Sequence, residues 1–138
     1  RYPGVAEYQR RIVLEARTTG YVATLCGRRR YLPDLLNRNF NLRSLAERMA
    51  INTPIQGTSA DIIKLAMIEI ADYMKQHHLQ SQMILQVHDE LIFNVPPGER
   101  QEMTGMVKDK MENAMRLDVP LTVDVKFGHN WYEMEKVR

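Results

Sequence analysis

Asp89 and Glu90 are adjacent acids between two short apolar runs, Gln82 to Leu85 and Leu91 to Val95. Carboxylates held together and partly desolvated repel each other, and a divalent cation offsets that repulsion. Mg²⁺ takes oxygen ligands and needs only one or two carboxylates when water and substrate phosphates complete its shell. The pair therefore suits a phosphoryl-transfer site. Neighbouring side chains on a strand face opposite ways, so the two acids share a site only if the turn re-aims one of them. One is then a primary ligand and the other auxiliary. The bland alternative is a solvated Asp-Glu turn. His88 adjoins the pair, and either orients a phosphate or carboxylate or simply bonds to backbone.

Two further groups carry donors. Arg48 and Asn52 are four apart on a helix and share a face, with Gln56 four further on, across the break expected at Pro54. Guanidinium and amide donors in such a row can grip the minor-groove acceptors that every base pair presents, without reading sequence. A polar helix face bonded within its own protein is the alternative. Arg28-Arg29-Arg30 suggests phosphate contacts, because the arginine fork matches phosphate. Alternation on a strand keeps all three from facing one way, and a solvated patch is the alternative there. His77 and His78 end a helix, where they favour its negative pole. The methionines at helical spacing read as core filling.

The elements that must position these residues follow from periodicity. Val5, Tyr8, Ile12 and Ala16 recur at helical spacing, which predicts a helix over about Val5 to Arg17, ended by Thr18-Thr19-Gly20. Tyr21 to Leu25 and Arg28 to Leu32 predict a β-hairpin around Gly27. Asn37 to Asn41 reads as a polar loop. Ser44 with Glu47 reads as a capping box opening a helix that Pro54 interrupts. A longer amphipathic helix then runs to about Gln76 on Ile62, Ile63, Ala66, Met67, Ile70, Ala71 and Met74. The acids sit near the tip of a second hairpin. Glu99 to Met115 predicts a third helix, and Leu121 to Val125 a strand. Helices alternating with hairpins predict an α+β fold, antiparallel β-hairpins packed against helices.

Length and composition set the bounds. The 138 residues fit one domain, with 44% hydrophobic and 26% charged residues. A net charge of +2 is too small to argue for a polyanion partner by itself. The single cysteine, Cys26, excludes an intramolecular disulfide and a cysteine-based zinc site. The apolar runs are too short to span a membrane, and no apolar signal segment opens the chain. It starts Arg1-Tyr2-Pro3-Gly4, without an initiator Met, and reads as a piece of something longer.

In this order the weak signals reinforce one another. Gly27 to Asp34, Ala46-Glu47-Arg48 through Ala60-Asp61, Leu85-Gln86-Val87-His88-Asp89-Glu90-Leu91 and Phe127-Gly128-His129-Asn130-Trp131 resemble, in colinear order, segments of the bacterial family A DNA polymerases. The third of these is similar to the palm signature called motif C. The resemblance covers essentially the whole chain. It implies a partial polymerase domain, the C-terminal palm with adjoining fingers-side helix, and no separate second domain.

The same resemblance implies roles. Asp89 is the motif C ligand bridging two Mg²⁺ ions, for which Mn²⁺ can substitute. Glu90 supports it, and His88 lies near the primer terminus. Arg48, Asn52 and Gln56 contact the primer–template minor groove or the motif C carboxylates, and Arg28, Arg29 and Arg30 support the DNA-facing surface. The implied partners are primer–template DNA and deoxynucleoside triphosphate, in bacterial cytoplasm at the nucleoid. The family's other acidic segment, DYSQIELR, and its nucleotide-binding fingers helix are not in the sequence, so the chain alone is expected not to polymerise. Exposed apolar surface on such a palm piece would favour self-association. Two rivals are weighed: a non-catalytic nucleic-acid-binding module, and a metal-dependent phosphohydrolase drawing on His88, Asp89 and Glu90. The sequence argues against the second because no other clustered acid completes a second metal shell, Asp61 and Asp124 being unmotivated additions.

Overall fold

The computed structural model describes residues 2–137. The chain divides into two compact units, Arg1–Asp61 and Ile62–Arg138. Each combines helices with short antiparallel hairpins, so the fold class is α+β.

The first unit opens with helix α1, Pro3–Thr19, two residues longer at each end than its periodicity predicts. Pro3 suits the first helical turn because its missing N–H has no partner there anyway. Strands β1, Tyr21–Ala23, and β2, Arg29–Tyr31, pair antiparallel, with Tyr21 opposite Tyr31 and Val22 opposite Arg30. Helix α2, Phe40–Gln76, begins in this unit and supplies residues to both. Ala16, Val22, Leu32, Leu35, Ala46 and Ala50 form the core of the first unit, with Ile12, Val13 and Met49 packed against it. Removing a leucine such as Leu35 from water contributes about 1.5–3 kcal/mol.

Two predicted features of α2 are corrected. Its cap is Asn39, not Ser44: the Asn39 side-chain oxygen accepts the Asn41 N–H at 2.9 Å, and Ser44 lies a full turn inside. The Ser44–Glu47 spacing mimics a capping box, but Asn39 reaches the unpaired amides first. Nor does Pro54 divide the helix. Proline removes the one N–H that would bond to the Ala50 carbonyl and crowds its ring against that turn. The turn is tied down from outside, since the Tyr8 hydroxyl donates to the Ile51 carbonyl at 3.1 Å.

In the second unit, β3, Gln82–Val87, pairs with β4, Glu90–Asn94. A bulge at Ile84 falls between the Met83–Phe93 and Leu85–Ile92 pairs. The bulge keeps Met83 on the core side with Leu91 and Phe93 while leaving Ile84 and Leu85 exposed. A 3-10 turn, Pro97–Glu99, leads into α3, Arg100–Glu112. That helix stops short of Met115 at Asn113, whose side-chain amide donates to the Asp109 carbonyl at 3.1 Å and the Asp109 carboxylate at 2.9 Å. Ala66, Ile70, Met103, Met106 and Val107 form the core here, with Met74 and Met111 against it.

The strand expected at Leu121 to Val125 is not formed. Its alternation is real, with Leu121, Val123 and Val125 turned inward, but the ladder begins only at β5, Lys126–Gly128, paired with β6, Met134–Lys136. Within the segment the Val123 N–H donates to the Glu112 side chain at 2.9 Å, and backbone pairing reaches only the Val125 carbonyl, which accepts the Val137 N–H at 2.9 Å. Gly128 permits the β5–β6 approach, because a Cβ there would meet the Glu133 carbonyl oxygen at 1.8 Å.

Candidate functional site

The acid pair sits where β3 turns into β4. Val87 pairs with Glu90, so His88 and Asp89 alone make the turn. Two-residue hairpins favour a positive φ at the first loop position, usually filled by glycine. Here His88 takes it, at φ 53°, and histidine is among the few side chains that tolerate the left-handed region. The Gln86 side-chain amide braces the turn by donating to the His88 carbonyl at 3.0 Å. Gln86 was not singled out from sequence, although its place within the Gln-Val-His-Asp-Glu run was the available signal.

Asp89 and Glu90 are both exposed, and among the described residues neither carboxylate takes a hydrogen bond or ion pair from the protein. They stand at one edge of a cavity of about 550 Å³, otherwise walled by Phe93, Met103, Val107 and the 122–134 segment. Two adjacent carboxylates without protein donors fit a hard divalent cation. They do not make a cage, because no cluster of three or more acidic, histidine or cysteine side chains among the described residues could hold an ion. The remaining ligands would be water, phosphate oxygens or groups outside these residues. The two other acids considered for a phosphohydrolase are engaged elsewhere. Asp61 accepts from Arg28 at 2.9 Å, and Asp124 accepts from Lys136 at 2.7 Å. The Lys136 contact, through hydrogen bond and charge, holds the Asp124 carboxyl below its usual range.

In the first unit, α2 carries Arg48, Asn52 and Gln56 on one side, over about 12 Å of helix rise. All three are exposed and make no hydrogen bond within the protein among the described residues. The face that the sequence predicts is therefore present, with its donors unspent.

The three arginines divide. Arg28 donates through Nε to Asp61 at 2.9 Å and through Nη2 to the Gly57 carbonyl at 3.0 Å. Arg30 reaches Thr53 at 3.3 Å and the Met49 sulfur at 3.5 Å. Arg29 lies over the Tyr21 ring, 4.5 Å from its centroid. Sequence reasoning missed how the β1–β2 turn is fastened to α2. The Leu25 N–H donates to the buried Thr58 hydroxyl at 3.0 Å, and Gly57 leaves the room that the Thr24 methyl occupies. The Gly57, Thr58 and Asp61 spacing was visible, but nothing local revealed its partner.

The unit boundary also exposes a charge asymmetry. Residues 1–61 hold ten arginines, no lysine and five acids, a net of +5. The remainder holds nine cations against twelve acids, a net of −3. The small overall charge conceals a basic unit.

Comparison with known proteins agrees with this architecture. The POL domain of Pol1 from M. smegmatis, solved in complex with DNA primer-template and dNTP, matches with a TM-score of 0.86 and 51% identity, over 88% of this chain and 21% of that one. The fold is that of a polymerase domain. DNA polymerase I of Bacillus caldotenax is 54% identical over 132 residues, 96% of this chain and 15% of that protein. DNA polymerase I of Mycobacterium tuberculosis (strain ATCC 25618 / H37Rv) is 51% identical over 131 residues, 95% of this chain and 14% of that protein. The sequence profile of DNA polymerase family A matches residues 1–133, and the chain belongs to that family. It spans about 15% of the length of the curated relatives it matches. Family A DNA polymerases use divalent metal ions. No helix among the described residues is long and apolar enough to cross a membrane.

Proposed function

We propose that this chain is palm and fingers-side structure of a template-directed DNA polymerase, both units belonging to one polymerase domain, acting on primer–template DNA and deoxynucleoside triphosphates in the bacterial cytoplasm. The single observation that carries the reading is the two-residue turn presenting Asp89 and Glu90 with no protein donor on either carboxylate. Asp89, within the turn, is the principal ligand for Mg²⁺ or Mn²⁺, and Glu90, held in the ladder opposite Val87, is auxiliary. Asp89 and Glu90 would help hold divalent metal there, whose chemistry would be to lower the pKa of the primer 3′-hydroxyl through one ion and to neutralise the leaving phosphates through another. His88 sets the turn and faces solvent beside the acids. Arg48, Asn52 and Gln56 hold the duplex through minor-groove acceptors common to all base pairs. Arg28 and Arg30 support that helix by fastening the hairpin to it. Alone, the chain does not add nucleotides, because its two acids need ligands from another part of the enzyme.

The test is a calorimetric titration of Mg²⁺ and Mn²⁺ into this chain, with and without a primer–template duplex, for wild type and Asp89→Ala. The reading expects metal binding that requires duplex and disappears in the variant. A second reading, a non-catalytic nucleic-acid module, draws on the net +5 charge of residues 1–61. Duplex binding indifferent to metal and to Asp89 would favour it and remove the first.

A further inference from the structure

Of the three consecutive arginines, Arg28 and Arg30 spend their donors on α2, whereas Arg29 has no hydrogen bond or ion pair among the described residues. Its guanidinium lies on the Tyr21 ring at 4.5 Å. Tyr21 in turn meets Tyr31, its partner across the hairpin, with ring centroids 5.6 Å apart at 58°. Tyr31 is 67% exposed. Strand register explains the row: Arg29 and Tyr31 are two apart and share a face of β2, while Arg30 takes the other and Arg28 precedes the strand.

We infer that this outer face of the β1–β2 hairpin binds single-stranded DNA, with one base stacked on Tyr31 and a neighbouring phosphate held by Arg29. Packing over the Tyr21 ring leaves the guanidinium N–H groups without a protein acceptor among the described residues, so they can meet phosphate oxygens in a fork. It also holds the guanidinium in place before binding, which lowers the ordering cost of capture. An exposed aromatic face accepts any base, so recognition is independent of sequence. In duplex DNA both faces of an internal base are already stacked, so this site takes unpaired or terminal bases. Charge complementarity points to a polyanion, since residues 1–61 carry a net +5 made entirely of arginine. The surface is separate from the Arg48, Asn52 and Gln56 face proposed for duplex, and does not depend on it.

The experiment compares fluorescence anisotropy of a labelled hexathymidylate with that of an abasic phosphodiester of equal length, titrated with the intact chain and its Tyr31→Leu, Tyr31→Phe and Arg29→Gln variants. Far-UV circular dichroism checks each fold. Tyr31→Leu is expected to weaken hexathymidylate binding by about fivefold or more, the lower end of the contribution of one stacked base. Abasic binding should be unaffected by that change, Tyr31→Phe should retain wild-type affinity, and Arg29→Gln should weaken both ligands. Equal wild-type affinity for the two oligomers, a Tyr31→Leu chain that binds hexathymidylate like wild type, or hexaglutamate competing as well as hexathymidylate would each overturn the inference.

Discussion

The Arg28 guanidinium meets the Asp61 carboxylate at 2.9 Å, and its second arm reaches the Gly57 carbonyl at 3.0 Å. Asp61 is buried, whereas the Arg28 side chain is half exposed. Removing the exposed partner therefore takes a charge-assisted hydrogen bond from a buried carboxylate, and a hydrogen bond to a charged group contributes about 1.5–3 kcal/mol. Arg28→Gln should lose about that much stability in a urea melt. Arg28→Lys should recover only part of it, because one ammonium cannot serve both the carboxylate and the Gly57 carbonyl. Full stability in Arg28→Gln would show that the contact contributes nothing.

The same junction predicts a compensating pair. A Cβ at Gly57 would lie 2.5 Å from the Thr24 Cγ2 methyl. Gly57→Ala should therefore destabilise the chain by about 1–3 kcal/mol through overpacking. Thr24→Ser removes that methyl and keeps the hydroxyl that accepts the Arg28 N–H at 3.2 Å. The double variant should regain most of the loss, and a double-mutant cycle without coupling would contradict the close packing.

These two junctions mark the limit of what the sequence discloses. Local pattern is enough for α1, the β1–β2 and β3–β4 hairpins and the core side of α2, because apolar period and turn residues agree there. It is enough for Arg48 and Asn52, since four-residue spacing on a helix fixes a common face, and Gln56 joins them because α2 continues through Pro54. It fails where a partner is remote. Nothing near Asp61 announces Arg28, 33 positions away. Nothing near Leu121 to Val125 says that its alternation lacks a strand to pair with. Pro54 and Ser44 misled because each has a strong local rule that a neighbour, Tyr8 or Asn39, overrides. The basic first unit stayed hidden until the boundary after Asp61 was known.

Glu99 fastens the start of β3 and should make the second unit acid-sensitive. Its carboxylate accepts the Ser81 hydroxyl at 2.5 Å and the Gln80 and Ser81 N–H groups at 2.7 and 2.8 Å. The Ser81 hydroxyl is the largest cause, followed by the Gln80 amide, of a carboxyl held below its ordinary value of 4.5. A depressed folded value means that this stability is fully present above the unfolded pKa and is lost as pH falls through the folded one. Thermal melts of wild type and Glu99→Gln should therefore differ at pH 7 and converge progressively below about pH 4.5. A constant gap between them down to pH 3 would show that the carboxylate's charge is not what stabilises the junction.

The α2 donor row can be separated by salt. A cation on a phosphate releases counterions, whereas an amide at a base edge does not. Arg48→Gln should weaken duplex binding with little change in the slope of log affinity against log salt, because its proposed contact is to minor-groove acceptors; a slope smaller in magnitude by about 1 would put the side chain on a phosphate instead. Asn52→Ala and Gln56→Ala should weaken binding with the slope unchanged.

His88 separates the geometry of the acid turn from its chemistry. Its φ of 53° lies in the left-handed region, where a β-branched residue is strained by about 1–2 kcal/mol and glycine is not. His88→Val should therefore destabilise the chain by at most about that amount, since histidine already bears part of the same cost, while His88→Gly should melt close to wild type. Because His88→Gly retains the turn, any loss of duplex-dependent metal binding in that variant belongs to the imidazole. If binding persists in His88→Gly and falls in His88→Val in step with stability, the histidine acts by shaping the turn that presents Asp89. If binding falls in both while only His88→Val melts early, the ring itself contributes to orienting phosphate or carboxylate beside the acids.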